Sequence, residues 1–174
     1  MPTFNNIREL EKWINSSKGQ ATALDETSIK KILRESAQEL EKLLKDELNA
    51  YFNSYDPVVY ERTGRTLQSF RVSEPKKISI NNWSIEIYFD DGLANHPSVF
   101  GEGQPDGYTP WLLNTGWRNK LDSTLDIENF TRFKGTNYVT NAVEKFNRSN
   151  KHGLVVQVYH GGKDVTGETY SYGN

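Results

Sequence analysis

The sequence predicts an α+β fold: a long N-terminal helix and a second helix packed on a small antiparallel β-sheet, with a long loop and extended termini. Three observations predict it. Apolar residues recur at steps of three and four from Ile29 to Tyr51. They then alternate on either side of an Asn81-Asn82 pair, and they return to helical spacing between Tyr138 and Phe146.

The first element is a short amphipathic helix over Phe4 to Ser16, with Ile7, Leu10, Trp13 and Ile14 on one face and Lys18-Gly19 as a stop. It reads as an arm. Thr27-Ser28 then cap the main pattern of Ile29, Leu33, Ala37, Leu40, Leu44, Leu48 and Tyr51, which predicts a helix from about Ser28 to Asn53, about 39 Å long at 1.5 Å per residue. The period is 3.6 rather than a strict heptad, so the helix is expected to lie on a sheet, not in a coiled coil. Asp56-Pro57 ends it, because the residue before proline is pushed out of the α region. A single turn from Thr63-Gly64 to Phe70 follows. Ile78 and Ile80, then Trp83, Ile85, Ile87 and Phe89, predict a β-hairpin, since adjacent asparagines tolerate the left-handed backbone of a tight turn.

The stretch Asp90 to Thr109 is rich in Gly, Pro, Asn and Asp and reads as a patternless loop, a length that tends to be functional or disordered. Pro110 to Trp117 predicts a short helix, with proline in its first turn and Gly116 at its end. Tyr138, Val139, Ala142, Val143 and Phe146 place the second real helix within Thr136 to Ser149. Leu154 to Tyr159 predicts a strand that extends the hairpin, with Leu40, Leu44 and Leu48 buried against Ile85 and Val156. The predicted organisation is an arm over 1–20, one α+β domain over 21–161 and a flexible tail over 162–174.

Composition narrows the function. Only 35 % of the 174 residues are hydrophobic, so the core is thin, and the 16 asparagines give a polar, turn-prone surface. No apolar run reaches the roughly 18 residues that span a bilayer. The start MPTFNNIRELEKW lacks the basic flank and apolar stretch of a signal peptide, which predicts a protein made in the cytosol. The absence of cysteine removes disulfides, thiol nucleophiles and thiolate zinc sites. Net charge is −2, without a basic stripe interleaved with aromatics, which argues against nucleic acid as a direct ligand. Charge placement says more. Residues 60 to 77 carry Arg62, Arg65, Arg71, Lys76 and Lys77 against two glutamates, a balance of +3. Residues 78 to 106 have no Lys or Arg and hold Glu86, Asp90, Asp91, Glu102 and Asp106, a balance of −5. These segments read either as two solvated faces or as complementary patches on copies of one chain.

No catalytic motif emerges, and no cofactor is expected. His96 lies in the acidic loop, while His152 and His160 flank the last strand, but none of the spacings matches a metal-ligand motif. Asp90 and Asp91 are neighbours, so on a strand they would face opposite ways. Gly101-Glu102-Gly103 is not set between a strand and a helix as a phosphate cradle is, and neither a Walker motif nor G-x-S-x-G occurs. Trp83, Trp111 and Trp117 could stack on sugars, although their mixing with Ile and Leu fits core or subunit contact better.

From Tyr51 to Phe70 the chain reads YFNSYDPVVYERTGRTLQSF, and this resembles the tail-component family typified by gene product 10 of phage HK97. In that family a long first helix leads into an aromatic and Pro-Tyr segment and a Thr-Gly-x-x-Leu-x-x-Ser turn, here Thr63, Gly64, Leu67 and Ser69, with the serine one position early. The similarity continues at Tyr108 to Gly116, YTPWLLNTG, where Asn114-Thr115-Gly116 stands in place of the family's acid and Gly-Thr pair. It resumes at Phe133 to Phe146, FKGTNYVTNAVEKF. About two-thirds of the chain is covered, in the same order of elements. The extra helix at Phe4 to Ser16, the long acidic loop and the tail are departures.

The resemblance implies a non-enzymatic virion protein of a tailed bacteriophage. Its place is the neck, between the portal or head-closure ring and the tail-tube or terminator protein, and it assembles in host cytoplasm. It implies a cyclic homo-oligomer of six or twelve copies through which genomic DNA passes without specific binding and without a membrane partner. A thin core, separated charges and polar ends suit a head-to-tail interface of that kind. Candidate interface residues are Arg62, Arg65, Arg71, Lys76, Lys77, Asp90, Asp91, Glu102, Asp106, Trp111 and Trp117, with the +3 stretch facing the neighbour's −5 loop. The loop acids are also candidates for a lumen that phosphates do not stick to. The alternative is a phage-associated hydrolase with its site at the His96 loop, or a glycan-binding accessory protein using Trp111 and Trp117.

Overall fold

The apolar stripe that starts at Ile29 folds as helix α1, Glu26–Phe52, and buries Leu33, Ala37, Leu44 and Leu48. The computed structural model describes residues 26–54, 64–79, 82–96, 107–118 and 132–170, together with Glu9 and Lys12. The predicted arm helix therefore lies outside the described residues, apart from Glu9 and Lys12, which are helical and exposed. Glu26 sits in the first turn of α1, where a carboxylate opposes the positive end of the helix dipole.

Helices α2 (Arg65–Gln68), α3 (Asp91–Ala94), α4 (Thr109–Thr115) and α5 (Tyr138–Ser149) follow. The fold is α+β, as the patterns predict. Among the described residues, the strands form five two-stranded antiparallel ladders.

The hairpin is longer than the Ile and Trp alternation suggests. Strand β1 (Phe70–Val72) pairs with β4 (Ile87–Phe89), and β2 (Lys76–Ser79) pairs with β3 (Asn82–Ser84). Between the two ladders, the Ser73 N–H donates to the Glu86 carbonyl at 2.9 Å and the Glu86 N–H donates to Ser73 Oγ at 3.0 Å. The register sets Phe70 opposite Phe89 and Val72 opposite Ile87, leaving Arg71 and Tyr88 on the other face. This phase brings Ile87 and Phe89 against the core cluster of Leu44, Leu48, Phe70, Tyr138 and Ala142. The expected burial of Ile85 there is corrected: the break at Ser73–Glu86 separates it from the β1–β4 ladder.

Helix α1 packs on the β1–β4 ladder through Leu44 and Leu48, as expected, and its larger partner is α5, which runs antiparallel to it. Asn141 and Lys145 both reach the Glu47 carboxylate, and Ser149 Oγ donates to Glu39 Oε1 at 2.8 Å. Both helices carry an apolar stripe, and facing each other buries both stripes at once.

The strand expected over Leu154–Tyr159 joins no hairpin sheet. Asn150 ties down its start, donating from Nδ2 to the Leu154 carbonyl at 2.6 Å and accepting the Leu154 N–H at 3.1 Å. Its end is held by the Thr166 hydroxyl, which accepts the Val158 N–H at 2.8 Å. Val155 is left 87 % exposed and Val156 lies outside the central cluster. Only Tyr159–His160 (β9) is strand, and it pairs with Lys163–Asp164 (β10) across Gly161-Gly162, both glycines with φ in the left-handed region. Local side-chain bonds have replaced the predicted ladder.

The patternless loop also acquires structure at its ends, where Asn95–His96 (β5) pairs with Gly107–Tyr108 (β6). After α4, Gly116–Arg118 (β7) pairs with Arg132–Lys134 (β8). No described helix is long and apolar enough to cross a membrane.

Candidate functional site

The most densely bonded region is where the end of α4 meets the start of α5. The Leu113 carbonyl accepts both the Thr136 N–H and the Thr136 hydroxyl at 2.9 Å, and the Asn114 carbonyl accepts the Asn137 N–H at 2.9 Å. Asn114 is 2 % exposed, and its Oδ1 accepts the Val139 N–H at 3.0 Å. A helix leaves its first four N–H groups without intrahelical partners, so Asn114 caps α5 from a distant part of the chain.

The residue in the usual capping position, Asn137, is left-handed at φ 53° and does not cap. Its amide grips Tyr170 instead: Nδ2 donates to the Tyr170 carbonyl at 3.0 Å, and the Tyr170 N–H donates to Oδ1 at 2.7 Å. Thr140 Oγ1 adds a bond to the Glu168 carbonyl at 2.7 Å. Within the stretch from residue 162, the Glu168 and Tyr170 backbone is thus held at the first turn of α5. The two chain segments of the junction touch through backbone. A Cβ on Gly135 would lie 2.3 Å from the Thr115 carbonyl carbon and 2.4 Å from the Asn114 carbonyl oxygen, so only glycine fits.

Beside this junction an aromatic chain runs outward from the core. Phe70 meets Phe89 at 4.7 Å between ring centroids, and Phe89 meets Tyr108 edge-on at 6.2 Å. Trp111 stacks on His160 at 3.9 Å and 11°, with Tyr170 edge-on at 5.4 Å. Burial lowers the His160 pKa, since the charged imidazolium is disfavoured away from water. Burial raises Tyr108, with the Asp91 charge second. It raises Tyr138 further, and the buried Tyr138 hydroxyl has no hydrogen-bond partner among the described residues. One face of Trp111, expected to meet a subunit or a sugar, is occupied by His160.

The charged candidates divide into two groups. Near α2 and α3, Arg71 Nη2 lies 3.0 Å from Asp90 Oδ2, and Arg65 Nη2 donates to the Gly92 carbonyl at 2.7 Å. Asp90 Oδ1 accepts the Gly92 N–H at 3.0 Å and so caps α3. Part of the +3 stretch thus meets part of the −5 stretch within one chain. Asp91, beside it, is exposed. At the far end of the hairpin, Lys77 pairs with Glu26 at 3.0 Å, which holds the Glu26 carboxyl below its usual range. Lys30 and Lys77 both lie over the Trp83 ring, at 5.2 and 5.5 Å from its centroid. Among the described residues, Lys76 has a single ion-pair contact, with Glu86 at 4.0 Å.

Arg62, Glu102 and Asp106 lie outside the described residues. Trp117 lies in β7, with its backbone paired to Phe133. The three histidines are in different places: His96 pairs through its backbone with Gly107, His152 is exposed, and His160 stacks on Trp111. Among the described residues, no three His, Asp or Glu side chains gather as a metal site would require.

Sequence reasoning missed Asn114, Gly135, Asn137, His160 and Tyr170. The available signal was the pair of runs Asn114-Thr115-Gly116 and Gly135-Thr136-Asn137, each rich in residues that bond or bend backbone. Compared with family models, with curated proteins and with solved structures, this chain matches none of them.

Proposed function

We propose that this chain is a structural virion protein of a tailed bacteriophage, a neck component that forms a closed ring around the DNA channel between the portal or head-closure ring and the tail. One observation carries the reading: the segments on which the resemblance rests converge. Phe70 from the first, Leu113 to Thr115 from the second, and Gly135 to Ala142 from the third meet around the α4–α5 junction and the core beneath it. The polar residues of those segments satisfy backbone groups and cap a helix. That is the use expected of motifs that preserve an architecture rather than bind a substrate.

In this reading the ring is held by surfaces other than the junction. The exposed charges Lys76 and Asp91, and the exposed apolar side chains Ile78, Tyr88, Val155 and Tyr159, are available for neighbours. DNA slides past a lumen without phosphate-binding clusters.

The test is native mass spectrometry and electron microscopy of the purified full chain, together with imaging of particles. Six- or twelve-fold cyclic assemblies, seen again at the neck of the particle, support the reading. A monomer at every concentration, missing from particles, overturns it.

A further inference from the structure

Between Gly153 and Gly161, both with φ in the left-handed region, the chain runs extended. Side-chain exposure alternates along it without a break: Leu154, Val156, Val158 and His160 are half-buried, while Val155, Gln157 and Tyr159 are exposed. That is the period of two of a strand with one face on the body of the protein. Its hydrogen bonds lie along one edge. Leu154 is held through both backbone groups by Asn150, the Val158 N–H goes to Thr166 Oγ1, and the Val158 carbonyl accepts the Val165 N–H at 2.8 Å. In an extended chain the N–H and C=O of successive residues point to opposite edges, so Val155, Gln157 and Tyr159 present theirs on the other one.

Among the described residues nothing answers them there. No hydrogen bond reaches the backbone of Val155 or Gln157, and β9 has β10 as its single neighbouring strand. The open edge is also apolar. Val155 is 87 % exposed and Tyr159 60 %, and Gly153 to Tyr159 contains neither a charge nor a proline. Edges are ordinarily blunted by one or the other, because unpaired N–H and C=O groups template the addition of another strand. The chemistry that fits this edge is therefore an extended, uncharged backbone.

We propose that the partner is the same segment of a second copy, paired antiparallel about a two-fold axis through Gln157, the middle of the extended run. With Gln157 opposite its own copy, Val155 stands opposite Tyr159 on either side of the axis, and every open N–H and C=O finds a partner. Side chains agree with this register. On the exposed face a β-branched valine lies beside an aromatic ring twice, and on the other face Val156 lies beside Val158. The two apolar side chains that solvent reaches most are covered by each other, and no charge meets a like charge. Sliding the copies by two residues sets Tyr159 against Gly153 or Val155 against Gly161, and the left-handed backbone of those glycines cannot continue a ladder. The contact is isologous, whereas the interfaces of a ring are head-to-tail, so it goes beyond the ring reading and does not depend on it.

Gln157 is exposed and sits on the axis, so a charge placed there meets its own copy. The experiment is sedimentation velocity and native mass spectrometry of the purified full chain from micromolar to millimolar concentration, with circular dichroism to show that each variant is folded. The wild type is expected to form a dimer. Gln157→Lys and Gln157→Glu should each weaken it roughly fivefold, because like charges then stand directly opposite, and an equal mixture of the two should restore a one-to-one heterodimer. Amide exchange gives a readout that needs no substitution: the Val155, Gln157 and Tyr159 N–H groups should gain protection as concentration rises. Protection that survives dilution to monomer would place a segment of the same chain on the edge and overturn the proposal. Association that neither variant changes, rings included, overturns it while leaving the ring reading intact. Weakening by both variants without rescue in the mixture overturns the two-fold register. A chain that stays monomeric at millimolar concentration overturns the contact, and the ring reading is then decided by imaging of particles.

Discussion

Asn114 Oδ1 accepts the backbone N–H of Val139 at 3.0 Å, across 25 positions of sequence. The helix that completes the core is thus started by a side chain from another element. The α4–α5 junction and the core beneath it therefore depend on each other.

Replacing Asn114 with alanine would leave the Val139 N–H without its partner in a buried place. The expected loss is about 1–3 kcal/mol. For a chain of this size that lowers the melting temperature by roughly 2–4 °C per kcal/mol. Urea denaturation followed by circular dichroism measures it, and an unchanged midpoint would show that the cap is dispensable.

Gly135→Ala and Gly153→Ala separate two reasons for glycine. At Gly135 the new methyl meets main-chain atoms at 2.3 to 2.5 Å, so α4 and α5 must move apart and a loss of about 3 kcal/mol or more is expected. At Gly153 nothing lies within 4 Å, and only the left-handed φ of 65° opposes a side chain, a cost of about 1–2 kcal/mol. Equal destabilisation of the two variants would refute the close approach at Gly135.

His160 gives stability a pH dependence. Burial lowers its folded-state pKa below the ordinary value of about 6.5, so the unfolded chain binds the proton more readily than the folded one. Its contribution is therefore present above about pH 6.5 and is lost as the pH falls from there through the lowered folded value. The denaturation midpoint should fall on acidification across this window. A His160→Phe variant, which keeps a ring on Trp111, should fall less steeply. Identical slopes would assign the effect to other groups.

Adjacent aspartates should behave differently. Asp90 caps α3 and pairs with Arg71, so Asp90→Ala should cost about 1 kcal/mol, mostly from the cap, because a pair this exposed contributes little. Asp91→Ala should stay within about 0.5 kcal/mol. Thermal melts of the two single variants decide it, and a reversed order would misplace the cap.

Sequence periodicity captured α1 to within two residues, as well as α4, α5 and the turn at Gly64, because each rests on local spacing, aided at α4 by Pro110 and Gly116. It failed where side chains compete with backbone. Leu154–Val158 has strand-like alternation, yet Asn150 and Thr166 take the hydrogen bonds at its two ends. The larger partner of α1, helix α5, was not legible beside the expected sheet, since a 3.6 period reveals an apolar stripe but not everything that covers it. Of the candidate site residues, charge placement singled out Lys76 and Asp90, but it could not say that Asp90 meets Arg71 in the same chain.

The docking of α5 on α1 has a consequence for synthesis. Glu47 waits for Lys145, 98 positions later, and Glu39 for Ser149, 110 positions later, so the contacts of highest sequence separation arrive late in translation. Until Tyr138–Ser149 has emerged from the ribosome, the stripe from Leu33 to Leu48 lacks its principal cover. The nascent chain therefore passes through an aggregation-prone interval in which chaperone capture, or early capture by another polypeptide, competes with native folding.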